Sequence, residues 1–141
     1  MKKKKILIVN ANFYSNISMK LSADAEKALK LAKIKFERIE VPGVFEIPVV
    51  IAKNIKKYDG FIALGCVIKG ETPHFDFISK STIDTIMKLS TDYKKPIGNG
   101  ILTCLNMEQA KVRADFERKY NKKGFKGRDA ARAVIQVLNN F

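Results

Sequence analysis

One stretch of apolar residues, Phe61–Val67, constrains the fold of this chain more than any other feature. It is interrupted only by Gly65 and carries no charged side chain. Such a run is typical of a strand buried on both faces, because a strand with one solvated face would alternate apolar and polar residues. Strands of this kind form parallel sheets that helices cover on both sides. The sequence then turns polar at Lys69–His74 and helical from Phe75, which predicts strand, loop and helix in that order.

The loop Lys69–His74 is the first candidate for an active site. It holds a glycine, a proline, a hydroxyl, a carboxylate and the only histidine of the chain. In open α/β sheets, ligands bind where the carboxyl ends of strands meet helix N-termini. His74 could therefore transfer protons near neutral pH, or it could be merely structural or exposed. The segment Gly70–Thr72 either binds phosphate at the helix N-terminus or forms an ordinary turn with Thr72 as the cap.

Three further segments predict strands of the same sheet. Lys5–Asn10 and Ile97–Cys104 are mainly apolar, and Lys35–Val41 alternates imperfectly, which is typical of an outer strand. Helical patterns follow the strands, and the order predicts right-handed crossovers and helices on both faces. We therefore expect one domain, residues 1–141, with a flavodoxin-like three-layer α/β/α fold and a four-stranded parallel sheet. The predicted helices cover residues 17–32, 46–57, 75–92, 106–119 and 128–141.

The helical patterns also predict caps and buried faces. Ser15 or Asn16 is placed to cap the first helix, and Pro48 suits the first turn of the second. Asn106 is placed to cap the fourth helix, with Gln109 in a loose capping-box position. The residues expected to be buried are Ile17, Leu21, Ala25, Ala28 and Ala32 in the first helix, one face drawn from Ile78, Ile83, Ile86, Met87 and Leu89 in the third, and Ala130, Val134, Val137, Leu138 and Phe141 in the last.

The net charge of +13 allows nucleic acid, a membrane surface or an anionic substrate as partner. The lysines are scattered, however, and no arginine-rich run with interleaved aromatic residues indicates nucleic acid. Cys66 and Cys104 lie at predicted buried strand ends, as reduced thiols of a cytosolic protein do. The short apolar stretch Ile6–Val9 is too short for a signal-peptide core or a membrane span. We expect a cytoplasmic protein that binds neither nucleic acid nor membrane.

Each candidate side chain at a strand end also has a plain structural interpretation. Phe13 covers the core or provides a stacking platform for a flat heterocycle. Glu46 caps its helix or accepts hydrogen bonds from a ligand. Arg113 pairs with Glu117 four residues on, or binds an anion. The basic run 118–126 is most simply a solvated face.

Five segments of the chain together resemble the lumazine synthase family. The similarity covers nearly the whole sequence, and the combination of PGxFEIP with G-E-T-x-H-F at this spacing is specific. The segments, in chain order, are NANFYSNIS, VPGVFEIP, LGCVIKGETPHFDF, GNGILTCLNMEQAKVRA and KGRDAARAVIQVL.

The resemblance implies a transferase of riboflavin biosynthesis that acts on two small molecules. Members of the family condense 5-amino-6-(D-ribitylamino)uracil with 3,4-dihydroxy-2-butanone 4-phosphate to 6,7-dimethyl-8-ribityllumazine, with release of phosphate and water. No cofactor and no metal is used. This agrees with a sequence that has no Cys/His ligand cluster and no glycine-rich dinucleotide fingerprint.

The resemblance also implies roles for individual residues. His74 transfers protons, Phe13 stacks on the uracil ring and Glu46 holds ribityl hydroxyls. The pyrimidine site is lined by Phe13, Val44, Phe45, Glu46, Cys66, Val67, Ile68 and Asn99. The butanone phosphate is held by Glu71, Thr72 and Arg113, of which Arg113 comes from the neighbouring subunit. Further residues near the site are Lys126 and Asp129.

Two departures from the family pattern affect the site and the assembly. Asn99 stands where many relatives carry an aromatic residue, so an amide would meet the second face of the heterocycle. The segment 114–126, ADFERKYNKKGFK, is longer than the glycine-rich link of relatives that build sixty-subunit shells. The chain before the first predicted strand is also shorter than in many of those relatives. We therefore expect a homopentamer or a pair of pentamers with sites between subunits.

Three other functions are compatible with parts of the sequence. An archaeal-type riboflavin synthase would convert lumazine to riboflavin. A non-catalytic flavin or lumazine carrier would keep the pocket, although the presence of His74 and Arg113 argues against it. A basic nucleic-acid-binding module would show steeply salt-dependent DNA binding.

Overall fold

The computed structural model describes residues 3–114 and 125–141. The described strands are β1 (Lys5–Ala11), β2 (Lys35–Val41), β3 (Gly60–Ile68) and β4 (Ile97–Cys104). The described α-helices are α1 (Ser15–Leu31), α2 (Ile47–Asn54), α3 (His74–Tyr93), α4 (Met107–Ala114) and α5 (Lys126–Asn140). A short 3₁₀ helix, Val44–Glu46, precedes α2. The predicted fourth helix extends beyond Ala114, and that part lies outside the described residues.

The four strands form one parallel sheet in the order β2-β1-β3-β4. β3 lies inside the sheet and is buried from Gly60 to Cys66, which confirms the interpretation of the apolar run. β2 is an edge strand, as its imperfect alternation predicts, and β4 forms the other edge. All four carboxyl ends therefore lie at the same edge of the sheet.

Two apolar clusters, one on each face of the sheet, make up the core. Alternate residues of a strand point to opposite faces, so Ile6 and Ile8 join one cluster while Leu7 and Val9 join the other. The first cluster is covered by α1, α4 and α5, and the second by the 3₁₀ helix, α2 and α3. This is the expected three-layer α/β/α sandwich.

Helix α5 lies so close to the sheet and to α1 that glycine is required at the contacts. A Cβ atom at Gly98 of β4 would overlap the backbone oxygen of Ala130. A Cβ at Gly127 would overlap the backbone oxygen of Leu21 in α1. These contacts fix the first turn of α5, and with it Lys126, beside β4.

Several predicted caps and faces differ from the structure. Helix α1 begins at Ser15, so Tyr14 takes the N-cap position and no side chain caps the helix. The caps predicted at Ser15 and Asn16 are therefore wrong, because the helix begins before either residue can act as one. Ala32 is exposed because it already lies beyond the end of α1, and Leu29 is buried instead.

The exposed apolar residues of the single chain are a second difference. Val137 and Phe141 were expected to be buried, but they are 41% and 95% exposed. Met87 of α3 is 62% exposed. By contrast, the cap on α4 is confirmed, since the Gln109 N–H donates to Asn106 Oδ1 at 2.9 Å.

Candidate active site

Loops from three strands meet at the carboxyl edge of the sheet. The N–H of Asn12, which follows β1, donates to the backbone oxygen of Val41 at 3.0 Å. The N–H of Lys69, which follows β3, donates to the backbone oxygen of Cys104 at 2.9 Å. Each loop thus starts attached to the neighbouring strand. We refer to the predicted site residues at this edge as the carboxyl-edge group: Phe13, Val44, Phe45, Glu46, Cys66, Val67, Ile68, Glu71, Thr72 and His74.

Phe13 provides an exposed aromatic face rather than a cover over the core. Its side chain is 74% exposed. The ring contacts Tyr14 edge to face, with centroids 4.9 Å apart and planes at 84°. Because this contact uses only part of the ring, Phe13 can accept a flat ligand by stacking.

Glu46 has a structural role that still leaves it acceptor capacity. Its Oε1 accepts a hydrogen bond from the Gly43 N–H at 2.9 Å, which caps the 3₁₀ helix. A carboxylate has two oxygens and about four acceptor positions, so further hydrogen bonds to a ligand are possible. The two interpretations of Glu46 from the sequence are therefore compatible.

The remaining apolar residues of the group differ in exposure. Val44 is buried, and a Cβ at Gly65 would lie 2.9 Å from its Cγ2 and 3.0 Å from the Cβ of Ala11. Cys66 is also buried, while Val67 and Ile68 are half-buried. Phe45 differs from them because its ring is 65% exposed.

The loop before α3 presents polar side chains to solvent. Glu71, Thr72 and His74 are all exposed. The N–H of His74, the first residue of α3, donates to Thr72 Oγ1 at 3.4 Å, so Thr72 acts as a weak cap. This arrangement leaves the imidazole at the start of a helix, within the carboxyl-edge group.

The other predicted residues line a separate cavity of about 610 Å³ beside β4. Four of them contribute: Asn99 from β4, Arg113 from α4, and Lys126 and Asp129 from α5. We call these four residues the β4-edge group. Within the part of the chain that the structure describes, no residue of the carboxyl-edge group lines this cavity. The cavity thus brings together four of the predicted site residues and none of the ten residues of the carboxyl-edge group among the described ranges.

The β4-edge group combines cations with hydrogen-bonding side chains. Arg113 and Lys126 supply positive charge, and Gln109 and Thr103 also line the cavity. Asn99 is exposed, and its Oδ1 accepts a hydrogen bond from the Ile101 N–H at 3.0 Å. Two carboxylates, Glu108 and Asp129, line the same cavity, so the two cations are balanced in formal charge. The guanidinium of Arg113 can still hold a phosphate by paired hydrogen bonds.

The two cysteines form an unpredicted thiol pair at the ends of β3 and β4. Both are free and buried. Hydrogen bonding to Cys104, together with burial, raises the pKa of the Cys66 thiol well above its usual range. The same hydrogen bond, helped by the positive charge of Arg113, lowers the pKa of Cys104 to about 7. The charge of Arg113 therefore acts as far as the carboxyl end of β4.

A second cavity of about 610 Å³ lies between α1 and β2, where the sequence predicted none. Arg38 lines it and forms ion pairs with Glu26 at 2.6 Å and with Glu40 at 3.3 Å. It also donates to Ser22 Oγ at 3.0 Å. Because its guanidinium is matched by two carboxylates, we interpret this network as structural.

Within residues 3–114 and 125–141, no helix has the length and apolar character needed to cross a membrane. The same residues contain no group of three or more His, Cys, Asp or Glu side chains that could hold a metal ion.

Comparison with known proteins gives one consistent family. The family model for 6,7-dimethyl-8-ribityllumazine synthase matches residues 3–141. The chain is 44% identical over 143 residues to the 6,7-dimethyl-8-ribityllumazine synthase of Bartonella tribocorum, covering 99% of this chain and 93% of that protein. It is 44% identical over 137 residues to the protein of the same name from Zymomonas mobilis, covering 96% and 94%. A third protein of that name, from Beijerinckia indica, is 41% identical over 137 residues, covering 94% and 73%.

Proposed function

The chain belongs to the 6,7-dimethyl-8-ribityllumazine synthase family, and from this we propose that it is the transferase that forms 6,7-dimethyl-8-ribityllumazine in riboflavin biosynthesis. Its substrates are 5-amino-6-(D-ribitylamino)uracil and 3,4-dihydroxy-2-butanone 4-phosphate. The observation that carries the proposal is the family match over residues 3–141.

The proposed reaction joins the two substrates and releases phosphate and water. The amine of the pyrimidine attacks the ketone and forms an imine with loss of water. Elimination then expels the phosphate, and ring closure with loss of a second water gives the lumazine. Each step moves protons, and the elimination also needs positive charge beside the leaving dianion. The chemistry needs no redox group, and we propose that no cofactor takes part.

The carboxyl-edge group supports binding of the pyrimidine. We assign the exposed ring of Phe13 to stacking on the uracil ring. Glu46 accepts hydrogen bonds from ribityl hydroxyls, because the Gly43 N–H occupies only Oε1. Val44 and Cys66 are buried, so they contribute through their backbone, together with Phe45, Val67 and Ile68.

The loop before α3 and the β4-edge group support binding of the butanone phosphate. Backbone N–H groups at Glu71 and Thr72, close to the N-terminus of α3, suit phosphate oxygens. Arg113 supplies the charge that stabilises the leaving phosphate, and His74 supplies and accepts protons. Lys126 adds a second cation, and Asp129 is the acidic residue beside it.

Because His74 does not line the cavity that contains Arg113, we propose that each site is formed by two neighbouring copies. One copy presents its carboxyl-edge group and the next presents its β4-edge group. A contact between unlike surfaces closes into a ring when the rotation permits, which agrees with a homopentamer or a pair of pentamers. Exposed apolar side chains around α2 and α3 support such a contact: Phe45, Val49, Phe77 and Met87.

Sedimentation tests the proposed assembly. We expect a pentamer or a decamer, because the segment 114–126 is long compared with the link of shell-forming relatives. A particle near sixty chains would contradict this proposal, and a monomer would remove the site between copies.

We also propose a cytoplasmic location, since both cysteines are free thiols.

The activity is tested by mixing the purified protein with both substrates. Lumazine is followed by its absorbance, and phosphate release is followed in the same sample. We expect equal amounts of both products. Binding of the pyrimidine without turnover would favour a carrier, and conversion of added lumazine to riboflavin would indicate a riboflavin synthase.

A further inference from the structure

The two cysteines lie side by side on one face of the sheet, at its carboxyl edge. Cys66 of β3 and Cys104 of β4 belong to the same apolar cluster, are both buried, and are joined by a hydrogen bond between their thiols. The ends of both strands are open to solvent, since Val67 and Ile68 are half-buried and Leu105 is 57% exposed. A small ion can therefore reach the pair from this edge.

The register of the two strands places their backbones too far apart for a disulfide between the cysteines. Cys66 lies opposite Leu102 and Cys104 lies opposite Ile68, so the cysteines are offset by two residues along neighbouring strands. Such an offset between parallel strands places the two Cα atoms about 8 Å apart. A disulfide needs Cα atoms within about 7 Å, so it would have to displace the backbone.

A metal ion bridges a longer distance than a disulfide bond does. With metal–sulfur bonds of about 2.3 Å, two sulfur atoms on one ion stand up to about 4.6 Å apart, against about 2 Å in a disulfide. Thiolates are soft ligands that select Cu(I) and zinc. A structural zinc takes four ligands, and the described ranges offer no third His, Cys, Asp or Glu beside the pair. Cu(I) is the better match, because two sulfur atoms suffice for it.

We propose that Cys66 and Cys104 form a binding site for Cu(I), which the proposed reaction does not use. Binding replaces the proton of each thiol by the metal: two S–H bonds break, two S–Cu bonds form, and both protons leave to the solvent. Copper enters and stays in the +1 state, so no oxidant or reductant is needed. The complex carries one negative charge, which the positive charge of Arg113 balances, because that charge already acts on Cys104.

The experiment titrates the reduced protein with Cu(I) in the absence of oxygen, in competition with a coloured Cu(I) chelator. We expect one Cu(I) per chain. Cys66→Ser and Cys104→Ser should each weaken Cu(I) binding by more than about 100-fold, which exceeds the effect of losing a group that only contacts a ligand. The matched control is Met19→Leu, which removes the sulfur atom of an exposed side chain at the other edge of the sheet. It should bind Cu(I) as the wild-type protein does.

Four results would overturn the site. A loss of binding in only one serine variant would mean that a single thiol holds the copper. Two Cu(I) per chain, or equally weakened binding in Met19→Leu, would mean that copper binds to sulfur atoms without a bridge between the cysteines. X-ray absorption at the copper edge of the loaded wild-type protein tests the site without any variant that could fail to fold. We expect sulfur ligands alone, and nitrogen or oxygen ligands would contradict the proposal.

Discussion

Replacement of Arg113 by alanine should weaken binding of the butanone phosphate much more than binding of the pyrimidine. Arg113 is exposed in the single chain, so the change in folding stability should stay within about 0.5 kcal/mol. A hydrogen bond to a charged group contributes about 1.5–3 kcal/mol. Since about 1.4 kcal/mol corresponds to tenfold, the KM for the phosphate substrate should rise roughly 10- to 150-fold. Lys126 lines the same cavity, which should keep the loss from being complete.

The matched control is Arg132→Ala. It removes the same charge from α5, but Arg132 lines a different cavity, next to Phe125. Steady-state kinetics with each substrate varied in turn give the two KM values. Equal increases for both substrates would place the phosphate elsewhere. An equal rise of the phosphate substrate's KM in the Arg132 variant would mean that Arg113 acts only through the overall positive charge of the protein.

A spectroscopic readout tests the position of Arg113 without any substrate. Its charge helps to lower the pKa of Cys104 to about 7. In Arg113→Ala that contribution is lost, so thiolate absorbance should appear at higher pH than in the wild-type protein. An unchanged titration would show that the guanidinium does not act on the end of β4.

His74→Ala should lower kcat by about 10²-fold or more with little change in either KM, and an unchanged kcat would remove His74 from the mechanism. Gly98→Ala should cost about 1–3 kcal/mol of folding free energy, because its Cβ would overlap a backbone oxygen of α5. The control is Gly70→Ala, whose Cβ would meet nothing within 4 Å and which should leave the melting temperature nearly unchanged. Equal melting temperatures of the two variants would show that α5 can move away. The Tyr58 hydroxyl donates to Glu37 at 2.6 Å, and this bond raises the pKa of Tyr58 from 10.0 to about 12. The bond therefore stabilises the folded state fully below about pH 10, and this stabilisation is lost as the pH rises toward 12. Tyr58→Phe should therefore lower the melting temperature at neutral pH but less so near pH 12, and a phenol in the wild-type protein that titrates near its ordinary value would contradict this.

The central part of the fold could be predicted because its signals are local. The run Phe61–Val67 has no polar face, and only a strand covered on both sides satisfies that composition. The start of α5 could not be predicted in the same way. Glycine has a low helix propensity, so Gly127 favours a loop. It nevertheless lies inside α5, and a glycine is needed there because the backbone of α1 leaves no room for a Cβ. That constraint depends on a residue about a hundred positions earlier in the chain, Leu21.

The sequence likewise predicted part of the site, namely which residue types lie near the strand ends. Its residues follow strand ends, and motif resemblance identifies their types, but only the fold shows that Asn99, Arg113, Lys126 and Asp129 line one cavity. The thiol pair was missed because Cys66 and Cys104 were interpreted separately, although their strands are neighbours in the sheet. The ion pair of Arg38 with Glu26 was missed because the two residues are 12 positions apart and lie on different elements.

The division of the site between copies can be tested by mixing two impaired variants and assaying them at a butanone phosphate concentration near the wild-type KM, where both are slow. Arg113→Ala keeps His74, and His74→Ala keeps Arg113. If each site takes its histidine from one copy and its arginine from the next, random co-assembly of equal amounts leaves about a quarter of the sites with both residues intact. At that substrate concentration, co-expression of the two variants should therefore restore about a quarter of the wild-type rate per chain. The same variants mixed after separate purification, without exchange of chains, should show only the mean of the two low single-variant rates. No recovery in well-mixed assemblies would mean that His74 and Arg113 act within one chain.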